Sequence, residues 1–518
     1  MEKPSYTVVP KGTTAQQFAK AIQEFIAILG RDHVLTTDER LVSYNKIMIA
    51  VDDKRHAPAA VLLATSVEQI QAILKVCNAY RVPIWTISTG RNFGYGSAAP
   101  GERGQVVLDL RLMNRILQVD PVMGTALVEP GVTYQQLYDY IEEHQLPLML
   151  SFSAPSSIAG PLGNTMDRGV GYTPYGEHFL MQCGMEVVLA NGDVLRTGMG
   201  GVKGTNAWQV FKWGYGPSLD GMFTQSNYGI CTKMGFWLMP KPPLIKPFEI
   251  QYDDESDIDE IVELLRPLRM AQIIPNAVVI ANVLWEASTC NTRRSDYLSD
   301  PVGATPNAVL KKIQKDKGLG AWNVYAALYG TPEQVAVNWK IVMDVVQQSG
   351  KGRVVTQEEA GHKQPFKYRA QLMSGIPNLQ EFGLYNWRGG GGSMWFAPVS
   401  QARGSECNKQ AQLAKTILNR YGLDYVGEFI VGWRDMHHVI DVLFDRSNPE
   451  EMARAHDCFA ELLDAFEREG YAVYRVNTAF MDRVADSYGP VKRNVEKTLK
   501  RALDPNGILS PGKSGIRI

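Results

Sequence analysis

The stretch from Ala60 to Ile87 constrains the fold more tightly than any other part of this chain. Ala60 to Ala64 reads as a short apolar strand. Ser66 with Gln69 forms a capping-box pattern, and Ile70, Ile73, Leu74 and Cys77 then supply one apolar helical face. Val82 to Ile87 reads as the next strand. Strand, helix and strand in so short a span make a βαβ unit, which requires parallel strands and a helical crossover. Immediately after it comes Thr89-Gly90-Arg91-Asn92-Phe93-Gly94-Tyr95-Gly96-Ser97. A glycine-rich turn behind a strand exposes successive N–H groups that can cradle a pyrophosphate. It is not a P-loop, because no Gly-Lys-Ser/Thr follows, and it misses G-x-G-x-x-G spacing. Alone, it fits phosphate binding and an ordinary surface turn equally well.

The surrounding pattern predicts an α+β fold rather than a simple doubly wound nucleotide-binding sheet. A helix is expected from about Thr14 to Leu29, closed by Gly30. Val106 to Leu110 and Ala126 to Glu129 look like strands, and Val187 to Thr197 looks like a hairpin turning at Asn191-Gly192. Met239-Pro240-Lys241-Pro242-Pro243 marks a boundary. Helix starts after Ser256 and at Thr331-Pro332 point to a second α+β domain beyond it.

At 518 residues the chain can hold two or more domains, and 45% hydrophobic with 21% charged residues is ordinary for a globular protein. The net charge of -1, from 53 basic and 54 acidic residues, gives no electrostatic case for nucleic acid or an anionic membrane. No apolar run approaches the roughly 18–20 residues of a membrane span. Met1 to Tyr6 lacks the charged and apolar regions of a secretory signal. The expected location is therefore cytoplasm, or periplasm after export with a partner. The six cysteines are scattered without C-x-x-C or C-x-x-C-H, and the eight histidines form no metal-spacing cluster, so neither metal nor attached haem is expected.

The segment Leu384-Tyr385-Asn386-Trp387-Arg388-Gly389-Gly390-Gly391-Gly392-Ser393-Met394-Trp395-Phe396 sets aromatics against four glycines. Glycine lets a backbone approach a flat ligand that a Cβ would obstruct, and aromatics make rigid walls. The expectation is a backbone wall laid against a cofactor ring. Further small-residue turns stand at Ala159 to Asn164, including Gly163 and Asn164, and at Asn227 to Ile230, including Gly229. The chain closes on Asp504-Pro505-Asn506-Gly507-Ile508-Leu509-Ser510-Pro511-Gly512-Lys513 before a short tail.

With Gly163-Asn164-Thr165-Met166-Asp167-Arg168-Gly169-Val170-Gly171-Tyr172-Thr173-Pro174-Tyr175-Gly176, these segments resemble the vanillyl-alcohol oxidase family of FAD-linked oxidoreductases over essentially the whole chain. The match is closest to its 4-cresol-oxidising branch. The resemblance implies a two-domain fold. Residues 1–242 would be the FAD-binding domain, 243–470 a cap over the flavin ring, and 471–518 a segment returning to the first domain. It implies FAD attached covalently through Tyr385, where other branches use histidine, with Gly90, Arg91, Asn92, Phe93, Gly94, Gly163, Asn164, Gly229 and Ile230 binding the cofactor. Lys513 would place a cation near the reducible end of the flavin. The branch would have arginine there, and lysine keeps the charge without the fork.

The reaction implied is oxidation of a 4-alkylphenol at the carbon next to the ring. A benzylic C–H is a poor hydride donor until the phenol ionises, and a free phenol titrates near pH 10. A permanent cation with hydroxyl donors in a dry site would stabilise the anion. Tyr95, Tyr474 and Arg475 are that group by resemblance. Loss of hydride gives a quinone methide that takes up water, for which Glu381, Glu428 and His437 are the acid–base candidates, with Asp441 one helical turn beyond His437. Met394, Trp395 and Phe396 are expected to wall the substrate ring. Electrons would pass to a c-type cytochrome subunit, and the chain is expected to form a homodimer. An oxygen-using oxidase of alkylphenols, vanillyl alcohol or eugenol, and a non-catalytic flavin scaffold, are the alternatives.

Overall fold

The computed structural model describes residues 8–153, 157–300 and 302–518; the opening Met1 to Tyr6 stretch lies outside them. The first helix, Ala15–Leu29, begins at a full capping box between Thr14 and Gln17 and stops at Gly30, whose φ of 83° suits glycine. It buries Phe18, Ala21, Ile22 and Phe25 in one core with Ile70, Ile73 and Leu74 of helix Val67–Tyr80. Ser66 Oγ accepts from the Gln69 N–H at 3.3 Å, but the Gln69 side chain turns back to the Thr65 N–H at 2.8 Å, so half of the box is displaced by one residue.

The βαβ unit forms. Strands Val61–Leu63 and Ile84–Ile87 both run parallel to Val106–Asp109, which inserts between them. A second sheet is antiparallel, in the order Ile116–Asp120, Thr125–Val128, Gly229–Trp237, Gln182–Leu189, Val194–Arg196. Its last hairpin turns at Gly192, with φ 91°.

Beyond the proline-rich stretch, strand Leu244–Tyr252 enters a nine-stranded sheet that extends to Ala472–Val473. Alternation divides its strands between two cores. Val278, Ile280, Val324 and Ala326 join helices Ile258–Met270, Gly404–Arg420 and Pro449–Arg468 on one face. Val279, Ala281, Tyr325 and Ala327 face the other way, into a core shared with Tyr95, Trp285 and residues of the second sheet. A long internal cavity lies on this second side. The C-terminal tail returns to the start of the chain: Leu509 bridges Ile84, and Asn227 Nδ2 donates to the Ser510 carbonyl at 2.9 Å.

Residues 435–444 are a strand, which corrects the helical spacing expected for His437 and Asp441. Neighbouring residues on a strand point to opposite faces. His438 is accordingly buried against Phe429, ring centroids 4.0 Å apart, while His437 meets Tyr474. All six cysteines are free thiols, Cys290 partly exposed and the rest buried. Among the described residues no helix is long and apolar enough to cross a membrane.

Candidate active site

One elongated cavity gathers the loops singled out in the sequence. Gly90, Arg91, Asn92, Phe93 and Tyr95 line it from the turn after strand Ile84–Ile87. Gly163 and Asn164 line it from Pro161–Met166, which is a short helix rather than the expected turn, opened by proline at its first position. Gly229, Ile230 and Lys513 complete that end. Close packing explains two of the glycines. A Cβ on Gly163 would sit 2.1 Å from Ser88 Oγ. Gly94 stands behind the wall at φ +70°, where a Cβ would meet Trp395 Cδ1 at 2.1 Å.

The cavity fits a flavin dinucleotide. Ser153 Oγ, Ser226 Oγ and Thr478 Oγ1 are buried without a hydrogen-bond partner, and all three residues line it. Orphaned buried hydroxyls are costly unless a ligand satisfies them.

At the other end stand Tyr95, Tyr474 and Arg475. The Arg475 guanidinium lies 4.2 Å from the centroid of the Tyr95 ring and donates to Asn92 Oδ1 at 2.7 Å. Among the described residues no carboxylate lies within ion-pair distance of it. Burial raises the pKa of both tyrosines, so the hydroxyls remain donors. Against its burial, the Arg475 pKa is raised by Tyr95, Tyr474 and Asp167. This corner is built to receive an anion.

Tyr385 lines the same cavity, with its ring at 68° to that of Trp395, centroids 6.4 Å apart. The glycines that follow it do not. Gly389 and Gly390 are exposed, and a Cβ on Gly389 or Gly391 would meet nothing within 4 Å. Their φ values of 80°, 63° and 66° at Gly389, Gly390 and Gly391 show what the run does. It makes a left-handed turn that returns the chain into strand Gly392–Phe396, and at Gly390 it passes too close to Asp445 for any side chain. The expected backbone wall is therefore a turn outside the cavity. On that strand only Trp395 faces the chamber. Met394 and Phe396 point into the opposite core, where Phe396 packs on Phe459 and Phe466. Strand alternation corrects their assignment as substrate walls.

Glu381 and Glu428 line the cavity beside Tyr385. Tyr172 OH donates to Glu381 at 3.0 Å. Arg369, only 1% exposed, donates to Glu428 at 2.9 Å and to Glu286 at 2.7 Å. Asp441 accepts from Ser393 Oγ at 2.7 Å through one oxygen, while the other has no partner. Burial pushes Glu428 and Asp441 each up to about 8 and raises Glu381 as well. The shifts bring Glu428 and Asp441 into the range where a carboxyl can exchange a proton near neutrality, although Asp441 stands behind the cavity wall rather than in it.

Lys513 is in the wall but not alone. Its ammonium pairs with Asp167 at 2.8 Å, and Asn92 Nδ2 donates to the same carboxylate at 3.2 Å. Lys513 and Arg475 lower the Asp167 pKa against its burial. His437 does not line the chamber; its ring lies behind Tyr474, centroids 4.6 Å apart. Asp167, Glu286 and Arg369 were missed in the sequence. Asp167 lay within the quoted Gly163 to Gly176 motif, whereas nothing local marks Glu286 or Arg369.

Comparison with known proteins agrees with this geometry. Residues 58–198 match a FAD binding domain, and residues 307–514 match the C-terminal domain of FAD linked oxidases. The 4-cresol dehydrogenase [hydroxylating] flavoprotein subunit of Pseudomonas putida is 70% identical over 516 residues, covering 100% of this chain and 99% of that one. A crystal structure of p-cresol methylhydroxylase with substrate bound superposes with a TM-score of 0.98 at 71% identity, over 99% of both chains. The 4-ethylphenol oxidase of Gulosibacter chungangensis superposes with a TM-score of 0.96 at 36% identity, over 98% of this chain and 99% of its own. The chain belongs to the vanillyl-alcohol oxidase family of FAD-linked oxidoreductases, in the branch that contains the 4-cresol dehydrogenase flavoprotein subunit.

Proposed function

We propose that this chain oxidises 4-alkylphenols of the 4-cresol type to the 4-hydroxybenzyl alcohol and, by a second round, to the aldehyde. The observation that carries this reading is Arg475, a cavity cation with no carboxylate partner, beside the hydroxyl-bearing Tyr95 and Tyr474. FAD bound along the cavity supplies the hydride acceptor, and Tyr385 is the residue assigned to its covalent attachment.

Arg475 and the two tyrosines hold the phenol oxygen as its anion, which lowers the cost of removing hydride from the carbon para to it. Trp395 limits where the ring can lie. The quinone methide left behind is neutral and electrophilic at the alkyl carbon. Glu381 and Glu428 line the chamber, and whichever of them is ionised takes the proton from the attacking water and returns it as acid. His437 backs Tyr474 and orients it rather than touching the reacting atoms. The Asp167 carboxylate fixes Lys513 in the wall, so the lysine acts as half of an ion pair.

Two electrons leave the substrate per turnover, and a c-type cytochrome subunit is the proposed acceptor, supported by the relative named as a flavoprotein subunit. An oxidase reading is favoured by the likeness to 4-ethylphenol oxidase. Mixing the anaerobic protein with 4-cresol should bleach the flavin; absence of bleaching would end the proposal. In air, peroxide formation at the full rate of turnover would favour the oxidase. Yellow colour should remain with the acid-precipitated protein and be lost in Tyr385→Phe. A homodimer, and a division into 1–242, 243–470 and 471–518, complete the reading.

A further inference from the structure

Two further cavities adjoin the reaction chamber. One is polar, lined by Arg55, Glu102, Arg103, Asp482 and Arg517, and shares Thr478 and Met481 with the chamber. The other is a groove lined by Phe179, Leu180, Trp213 and Trp433, and it shares Val170 and Ile430 with the chamber. His437 lines the groove from one side and meets the Tyr474 ring from the other, tilted at 41° to it. A single imidazole and two aliphatic side chains thus separate the groove from the residues that receive the phenol oxygen.

We propose that this groove is a first binding site for the neutral phenolic substrate and its route to Arg475, with His437, Val170 and Ile430 as the partition it passes. The inference rests on the function proposed above. A phenol that titrates near pH 10 is uncharged in neutral solution. Its route must therefore welcome an apolar ring with one hydroxyl, and ionisation belongs only to the end of the path. The groove mouth offers such a surface, with Leu180 44%, Trp213 58% and Trp433 38% exposed. In its floor, Arg269 is 4% exposed and donates to the carbonyls of Val431 at 3.2 Å and Ile274 at 2.7 Å, not to a carboxylate. A guanidinium has five N–H donors, so capacity remains for a passing hydroxyl. His437 is weakly held: Nδ1 has no partner and Nε2 is 3.4 Å from Asp435 Oδ2. Turning it sacrifices little. The polar cavity is a poorer route, because Arg517 ties Glu102 and Asp482 across it and an uncharged ring would strip water from those ions.

The test uses the flavin-loaded full-length protein and 4-chlorophenol, which has no alkyl C–H to lose. Binding is followed by stopped-flow through the flavin spectrum. Leu180→Trp and Ser218→Trp independently fill the groove, Trp433→Ala widens it, and Ala479→Phe narrows the polar cavity. A blocked route slows association and dissociation together. Both rate constants should fall about tenfold in each filling variant while Kd stays within about twofold. Both should rise in Trp433→Ala and stay unchanged in Ala479→Phe. Melting temperature and flavin content identify a filling variant that fails to fold, and the other then decides. Wild-type rates in the filled grooves, or slowing confined to Ala479→Phe, would overturn the route. Failure of the wild type to bind 4-chlorophenol at all would instead overturn the proposed function.

Discussion

Two arginines, Arg369 buried and Arg475 half-buried, have opposite surroundings. Arg369 is clamped between Glu286 and Glu428, with Glu381 also acting on it electrostatically. Arg475 has an amide oxygen, an aromatic face and a neighbouring tyrosine, and a carboxylate, Asp167, acts on it only at a distance. The first cation is taken up by the protein's own carboxyl groups. The second is left for an anion from outside. Burial alone therefore does not mark a binding residue; the charge of its partners does.

The contrast can be broken at either side. Arg369→Met should cost about 3–5 kcal/mol of stability, because it removes the cation that pairs with two buried carboxyl groups. Denaturant titration measures this, and a loss below about 1 kcal/mol would mean that the carboxyls simply take up protons. Arg475→Met should lower the rate constant for 4-cresol-dependent flavin reduction about 10²- to 10³-fold with unfolding unaffected, the range for losing one preorganised stabilising group. A large stability loss there would erase the distinction between the two arginines.

Asp441 sharpens it further. Its pKa is raised from 3.8 to about 8 by burial. Below its ordinary value both folded and unfolded chains hold the proton. Between that value and about 8 the unfolded chain releases it and the folded chain does not, so stability falls as pH rises, and the fall ends above about 8. Asp441→Asn should flatten the profile across that window by about 1.4 kcal/mol per pH unit. Identical slopes in both proteins would place the proton elsewhere. The smallest effect concerns the glycine turn. Gly391→Ala should cost about 1 kcal/mol for its left-handed backbone and leave the flavin spectrum unchanged. A shifted spectrum would restore the glycines to the cofactor wall.

Much of the site was legible where function coincides with local pattern. The turn after Ile84–Ile87 delivers Asn92 and Tyr95 because a parallel strand must end in a loop at that edge. Tyr474-Arg475 and Tyr385 were identified through the family motif and do line the chamber. His437 was misplaced because its strand was read as a helix. Met394 and Phe396 were misassigned because period-two alternation says that neighbours face opposite ways, but not which way is inward.

The chain's own order of residues determined the βαβ start, the capped helices Ala15–Leu29 and Pro332–Ser349, the glycine-rich turn and the family. Those properties arise from contacts a few residues long or from whole motifs. The tertiary structure alone decided that Trp395 faces the chamber, that Gly389 to Gly391 lie outside it, that Asp167 neutralises Lys513 and that Arg369 joins Glu286 to Glu428. Each of these depends on partners that are close in space but mostly remote along the chain. Pairing between such residues is fixed by how whole sheets pack, which no local periodicity encodes.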